Sequence, residues 1–183
     1  MDRDVRTDAE VQALRNHNIC TLTYAEIENL LCSEGLVRLV ATHLSLDPIT
    51  TLHQVGSIVS QALASEIELQ SVLRAERRLR YKLSCFARAG NDEAGLNAGM
   101  TQVLANVDVS AELASARAEL SAALSGTLNT ILQLYNRKSL CARVAPAFGL
   151  VQGGYQDLLL RLLNGDKASV YLTALRAQLP PNL

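Results

Sequence analysis

The chain has 183 residues, room for one domain with a real core. A net charge of -1 singles out neither nucleic acid nor membrane as a bulk partner. Aromatics make up 4% and Trp is absent, which leaves the core to Leu, Val, Ile and Ala and favours helix-on-helix packing over a β-sandwich.

Cys20, Cys32, Cys85 and Cys141 form no C-x-x-C and sit mostly in apolar surroundings, as buried free thiols of a cytoplasmic protein do. His17, His43 and His53 make no zinc-type spacing. No apolar run approaches the ~18 residues of a membrane span. The polar start Met1-Asp2-Arg3-Asp4-Val5-Arg6 lacks the apolar stretch of a signal peptide.

Thr7 or Asp8 can cap a helix over residues 9–16 with Val11 and Leu14 on its apolar face. Ile19-Cys20-Thr21-Leu22 then reads as a short strand. Helix followed at once by strand is the second half of a βαβ unit. Asp2 and Asp4, two apart, would share a face at the C-terminal end of a preceding strand. After Tyr24 the period changes to 3.6, through Ile27, Leu30, Leu31, Leu36, Leu39, Val40 and Leu44, with Gly35 as a break. Glu26 and Asn29, three apart, share a helical face. Without a partner site, Glu26 and Glu28 would simply complement the positive end of the helix dipole.

Asp47-Pro48 restarts the chain as N-cap and first helical residue of a helix running to about residue 89. Its later part carries Arg74, Arg77, Arg78, Arg80 and Lys82. This basic run either tracks phosphates, with Arg77 and Arg78 as candidate contacts, or is a solvated face partly paired with Glu76. Residues 90–100, rich in Gly and Asn, predict a loop. Ser110 predicts the cap of a second long helix to about residue 135, so the two helices would form a long antiparallel hairpin over about 48–136. Three shorter helices follow, over 140–148, 156–163 and 167–179, with Pro146 as a break. The fold class is α-rich α+β, with an α/β segment over 1–31 and a helical region over 32–183.

Asp2-Arg3-Asp4, an acidic helix, a short strand and then Glu26-Ile27-Glu28-Asn29-Leu30-Leu31 stand in an order that resembles a known domain. It is the latter half of the Toprim-like domain found with ABC-type ATPases in OLD-family (overcoming lysogenisation defect) proteins and related phage-defence effectors. Tyr135-Asn136-Arg137-Lys138-Ser139-Leu140, Tyr155 and a closing Leu179-Pro180 resemble that family's tail. The resemblance spans most of the chain and is sharpest over residues 2–31.

It implies a Mg²⁺-dependent nuclease that hydrolyses DNA or RNA, with Asp2 and Asp4 as metal ligands. Glu26 and Glu28 would be the candidate catalytic acids, as outer ligands or as support for the strand-to-helix turn. Lys138 would be a phosphate contact, and an ABC-type ATPase subunit or domain a partner. Toprim domains also carry a Glu on an earlier strand, with several parallel strands ahead of Asp-x-Asp. That part has no counterpart before Asp2, so the resemblance implies a remnant that is inactive by itself.

The alternative is a non-catalytic helical interaction module that docks an ATPase partner or itself as a homo-oligomer. Arg38 and His43 fit the R-x4-H pattern of HEPN-type ribonucleases, but the spacing is loose and Leu39 follows the Arg where a polar residue is usual. An exposed Arg and a partly buried His is the favoured reading.

Overall fold

A computed structural model describes residues 3, 4 and 6–179. The chain is α-rich, and among the described residues there is no strand. α1 (Asp8–Asn16) opens with a capping box. Thr7 accepts from the Glu10 backbone N–H, while the Glu10 carboxylate accepts from the Thr7 N–H. The short α2 (Ile27–Leu30) leads into α3 (Glu34–His43), which buries Leu36, Val37, Val40 and Ala41. α4 (Pro48–Ser84) has 37 residues and is about 55 Å long at about 1.5 Å per residue. Asp47 caps it by accepting from the Thr50 N–H at 2.7 Å, and Pro48 costs nothing at its first turn.

α5 (Glu93–Ala105), α6 (Val109–Leu124) and α7 (Leu128–Leu134) follow. After them come α8 (Leu140–Val144), a 3₁₀ turn (Ala145–Phe148), α9 (Gly154–Leu163) and α10 (Ala168–Arg176).

Three expectations are corrected. Residues 19–22 form no strand. The Ile19 N–H instead closes the end of α1 on the Leu14 carbonyl, and no other strand is there to complete a ladder among the described residues. The α+β class therefore reduces to an α-rich one. Residues 90–100 are mostly helix. Asp92 caps α5 through the Gly95 N–H at 2.8 Å, and Gly95 and Gly99 face the preceding turn so closely that no side chain would fit. The helix expected over 110–135 breaks at Ser125-Gly126. Thr127 then caps α7 through Thr130.

The core gathers α3, the first half of α4, α7, α8 and α9 around Leu36, Val40, Val59, Leu63, Leu132 and Leu140. Tyr24 and Leu30 belong to it as well. The C-terminal helices are tied back to the start of the chain. The Tyr155 hydroxyl donates to the Leu31 carbonyl at 2.7 Å, and that of Tyr24 to Gln178 at 2.7 Å. Burial pushes the Tyr155 phenol well up from its usual range. Cys32 and Cys141, far apart in sequence, bring their sulfurs to 3.7 Å inside this core.

α4 and α6 pack along each other. Ser71, Ala75, Ala116 and Ala123 are all buried, and such small residues let the two backbones approach. Late residues of α4 meet early residues of α6: Lys82 reaches Glu112 at 2.6 Å, while farther back Glu68 receives Arg117 at 2.5 Å.

Candidate functional site

The inward face of α4 changes character along its length. Val55, Val59 and Leu63 are fully buried, after which the same face carries Glu66, Gln70, Arg74, Arg78 and Lys82 at intervals of four. All five rungs reach α7 or the turn beyond it, or the flank of α6. Lys82 also reaches the turn between α5 and α6, donating to the Asn106 carbonyl at 3.0 Å.

The C-terminus of α7 presents carbonyls that no helix turn can satisfy. Side chains from two other elements take them. Asn29, fully buried, donates from Nδ2 to the Leu132 carbonyl at 3.0 Å and the Tyr135 carbonyl at 2.6 Å. Arg74 Nη1 donates to the Leu134 carbonyl at 3.1 Å. Gln70 donates to the Asn136 carbonyl at 3.1 Å and accepts from the Asn136 N–H at 3.3 Å. Glu66 collects the Tyr135 hydroxyl at 2.8 Å and Arg143 at 2.9 Å. Burial, helped by that hydrogen bond to Glu66, pushes the Tyr135 phenol up from its usual range.

The N-terminal segment joins the same place. The Asp4 N–H donates to the Ala25 carbonyl at 2.7 Å, and the Ala25 N–H donates to the Leu132 carbonyl at 3.2 Å. The Asn136 side-chain amide donates to the Asp4 carboxylate. Asp4 adopts a left-handed backbone, φ 53°, which Asp tolerates better than most residues. Three stretches far apart in sequence thus converge: Asp4, residues 24–29 and residues 132–136.

Of the sequence-predicted site residues, Asp2 lies outside the described residues. Asp4 is held by Asn136, and its charge is felt by Arg74. Glu26 is buried at the N-cap of α2 without capping it. Glu28 is half-buried, and its carbonyl accepts from the Cys141 thiol at 3.3 Å. Lys138 is exposed in the turn before α8. Arg77 stands 3.7 Å from the buried Glu10 and so pins α1 to α4. Arg78 donates to Ser115 at 3.2 Å and to Glu119 at 2.5 Å, inside the α4–α6 contact. Arg38 pairs with Glu34 one turn away at 2.8 Å, and His43 is exposed at the end of α3.

Mg²⁺ calls for a cage of oxygen ligands. Among the described residues no group of three or more acids, His or Cys is placed to hold a metal. The described neighbours of Asp4 are an amide and a guanidinium, so these residues by themselves do not fit the ion, and no chemistry is routed through it.

Sequence reasoning passed over Glu66 and Gln70, and took Asn29 only as sharing a helical face with Glu26. The signal was present: Glu66 interrupts an apolar stripe, and a polar residue recurs every fourth position after it. Comparison with protein-family models, curated proteins and solved structures gives no match. The molecule is therefore defined by its architecture, an α-rich chain organised along one 37-residue helix.

Proposed function

We propose that this chain is a helical interaction module that docks a second copy of itself through the outward face of distal α4. One observation carries this reading. Leu69, Leu73, Glu76, Arg80 and Leu83 are all exposed and are spaced by four, three, four and three residues, the seam of a two-stranded coiled coil. The pattern is self-complementary. An antiparallel copy centred at the level of residue 78 sets Leu73 against Leu83 of the copy and Glu76 against its Arg80. Within one chain Glu76 and Arg80 already pair at 2.6 Å, so dimerisation exchanges one ion pair for another while burying leucines. The long antiparallel α4–α6 hairpin acts in this proposal as the rigid bar that presents the seam. Charges inside such a seam cost stability but fix register.

Light scattering on a sizing column at tens of micromolar should give the mass of two chains. Leu73→Asp with Leu83→Asp should give one. Glu76→Arg should weaken the dimer, and adding Arg80→Glu should restore it. A wild-type monomer at every concentration, or a dimer indifferent to these changes, overturns the proposal. A monomer that acquires an ABC-type ATPase subunit would move the reading to the other partner.

A second reading, Toprim-like phosphodiester hydrolysis, has one observation on its side. The Asp4–Ala25 hydrogen bond sets Asp4 beside the residue preceding Glu26, as that family's site would need. A polypeptide that carries Toprim-type strands and their Glu ahead of Asp2 should cleave DNA or RNA with Mg²⁺ and lose this with Asp2→Ala plus Asp4→Ala. Undiminished cleavage by that variant would remove the assignment.

A further inference from the structure

Between α1, α4 and α6 lies a cavity of about 690 Å³, within the size range of small-molecule sites. Five cationic side chains line it: Arg3, Arg6, Arg74, Arg78 and Lys82. Three carboxylates, Asp8, Glu112 and Glu119, stand against them. Asp8 pairs with Arg3 at 2.5 Å and Glu112 with Lys82 at 2.6 Å.

Arg74 is the decisive group. It is 2% exposed, at the inner end of the cavity. Nη1 is used on the Leu134 carbonyl, Nη2 stays 3.7 Å from Glu119, beyond hydrogen-bond reach, and Nε has no partner. Glu119 is spent on Arg78 at 2.5 Å. One carboxylate is thus shared by two guanidinium groups and satisfies only one. Arg3 Nε and Arg78 Nε are likewise buried without a partner. Burial and the nearby Arg78 and Arg3 push the Arg74 pKa down, yet a guanidinium keeps its proton at neutral pH. Buried donors without acceptors are costly. A compact dianion with several acceptor oxygens matches the guanidinium fork and supplies the acceptors that Arg74 lacks.

We propose that this cavity binds the phosphate dianion of a phosphomonoester of nucleotide size. Its volume exceeds that of a bare ion, and Ala122, Ala123, Leu134 and the Tyr81 ring give it an apolar wall for the remainder of such a molecule. Asp8 and Glu112 at the same lining disfavour a continuous nucleic-acid backbone. The site is independent of the self-docking seam, which lies on the opposite face of α4.

Calorimetry on the full chain at low ionic strength would compare AMP, adenosine, inorganic phosphate and an oligonucleotide without terminal phosphate. AMP should bind saturably at one site and adenosine should not. Phosphate weaker than AMP identifies a phosphorylated small molecule as the source of the dianion; phosphate equal to AMP identifies the free ion. Arg3→Gln, at the cavity rim, should weaken AMP by about tenfold, as expected for loss of one charge-assisted hydrogen bond in a desolvated site. Glu119→Gln, which frees Arg78 and removes a negative charge, should tighten it. The opposite signs separate binding from mere loss of structure. No saturable binding of AMP or phosphate in the millimolar range overturns the proposal. So does binding of the oligonucleotide in place of AMP, or affinity unchanged in both variants.

Discussion

Asn29→Ala should lower the melting temperature by about 5–10 °C, more than any other single polar substitution outside the ion-pair ladder. The side chain is fully buried and its amide serves two carbonyls. The Leu132 carbonyl keeps the Ala25 N–H after truncation, but the Tyr135 carbonyl loses the donor that caps the end of α7. A buried acceptor left unmet costs about 1–3 kcal/mol, and the lost packing adds to it. Asn29→Asp should be worse at neutral pH, because a carboxylate would face two carbonyl oxygens. Burial raises the pKa of such an acid in the folded state, so the variant's stability should be largest at acid pH and fall as pH rises through that pKa. Thermal melts of the two variants at pH 4 and pH 7 test both statements. Unchanged melting of Asn29→Ala would mean that the α7 terminus is held by Gln70 and Arg74 without it.

Gly99→Ala should detach α5 from the molecule. A Cβ at this position would meet the Ala87 carbonyl oxygen at 2.3 Å, and backbone cannot yield as a flexible side chain does. Overpacking of this kind costs about 1–3 kcal/mol. α5 makes few contacts beyond the turn before it, so the cost falls on local docking rather than on the whole fold. Amide exchange should quicken across residues 93–105 while the α3–α4 core keeps its protection. Gly56→Ala is the control. It sits inside α4 with no atom within 4 Å of a new Cβ, and should stabilise by about 0.5–1 kcal/mol through helix propensity. Wild-type exchange in Gly99→Ala would show that α5 is not seated as described.

Much of the helical layout could be read directly. Asp47-Pro48 announces α4, Thr7 or Asp8 announces α1, and the stripe from Leu36 to Val40 announces α3, because caps and 3.6-residue periodicity are local properties. Residues 19–22 misled because β-branched residues prefer strands only where a neighbour completes the ladder. α5 was hidden because Gly and Asn count as breakers. Here Gly95 and Gly99 are required for close approach, a fact that lives in the turn they touch. The convergence of Asp4, residues 24–29 and residues 132–136 depends on the Asp4–Ala25 hydrogen bond and on others spanning more than 100 residues, which no spacing rule reaches. The basic run was legible as charge but not as direction. Arg74 and Arg78 turn inward to α6 and α7, while Arg80 faces solvent.

The change of character along the inward face of α4 has a consequence for how the molecule loosens. Its first half is gripped by aliphatic burial, which ionic strength leaves largely intact. Its second half is gripped by pairs such as Lys82–Glu112 and Arg117–Glu68, which lie near enough to solvent to be screened. One helix therefore spans two regimes, a greasy hilt and an ionic blade. The dissolved salt around the protein sets how firmly the far end is clasped without disturbing the near one.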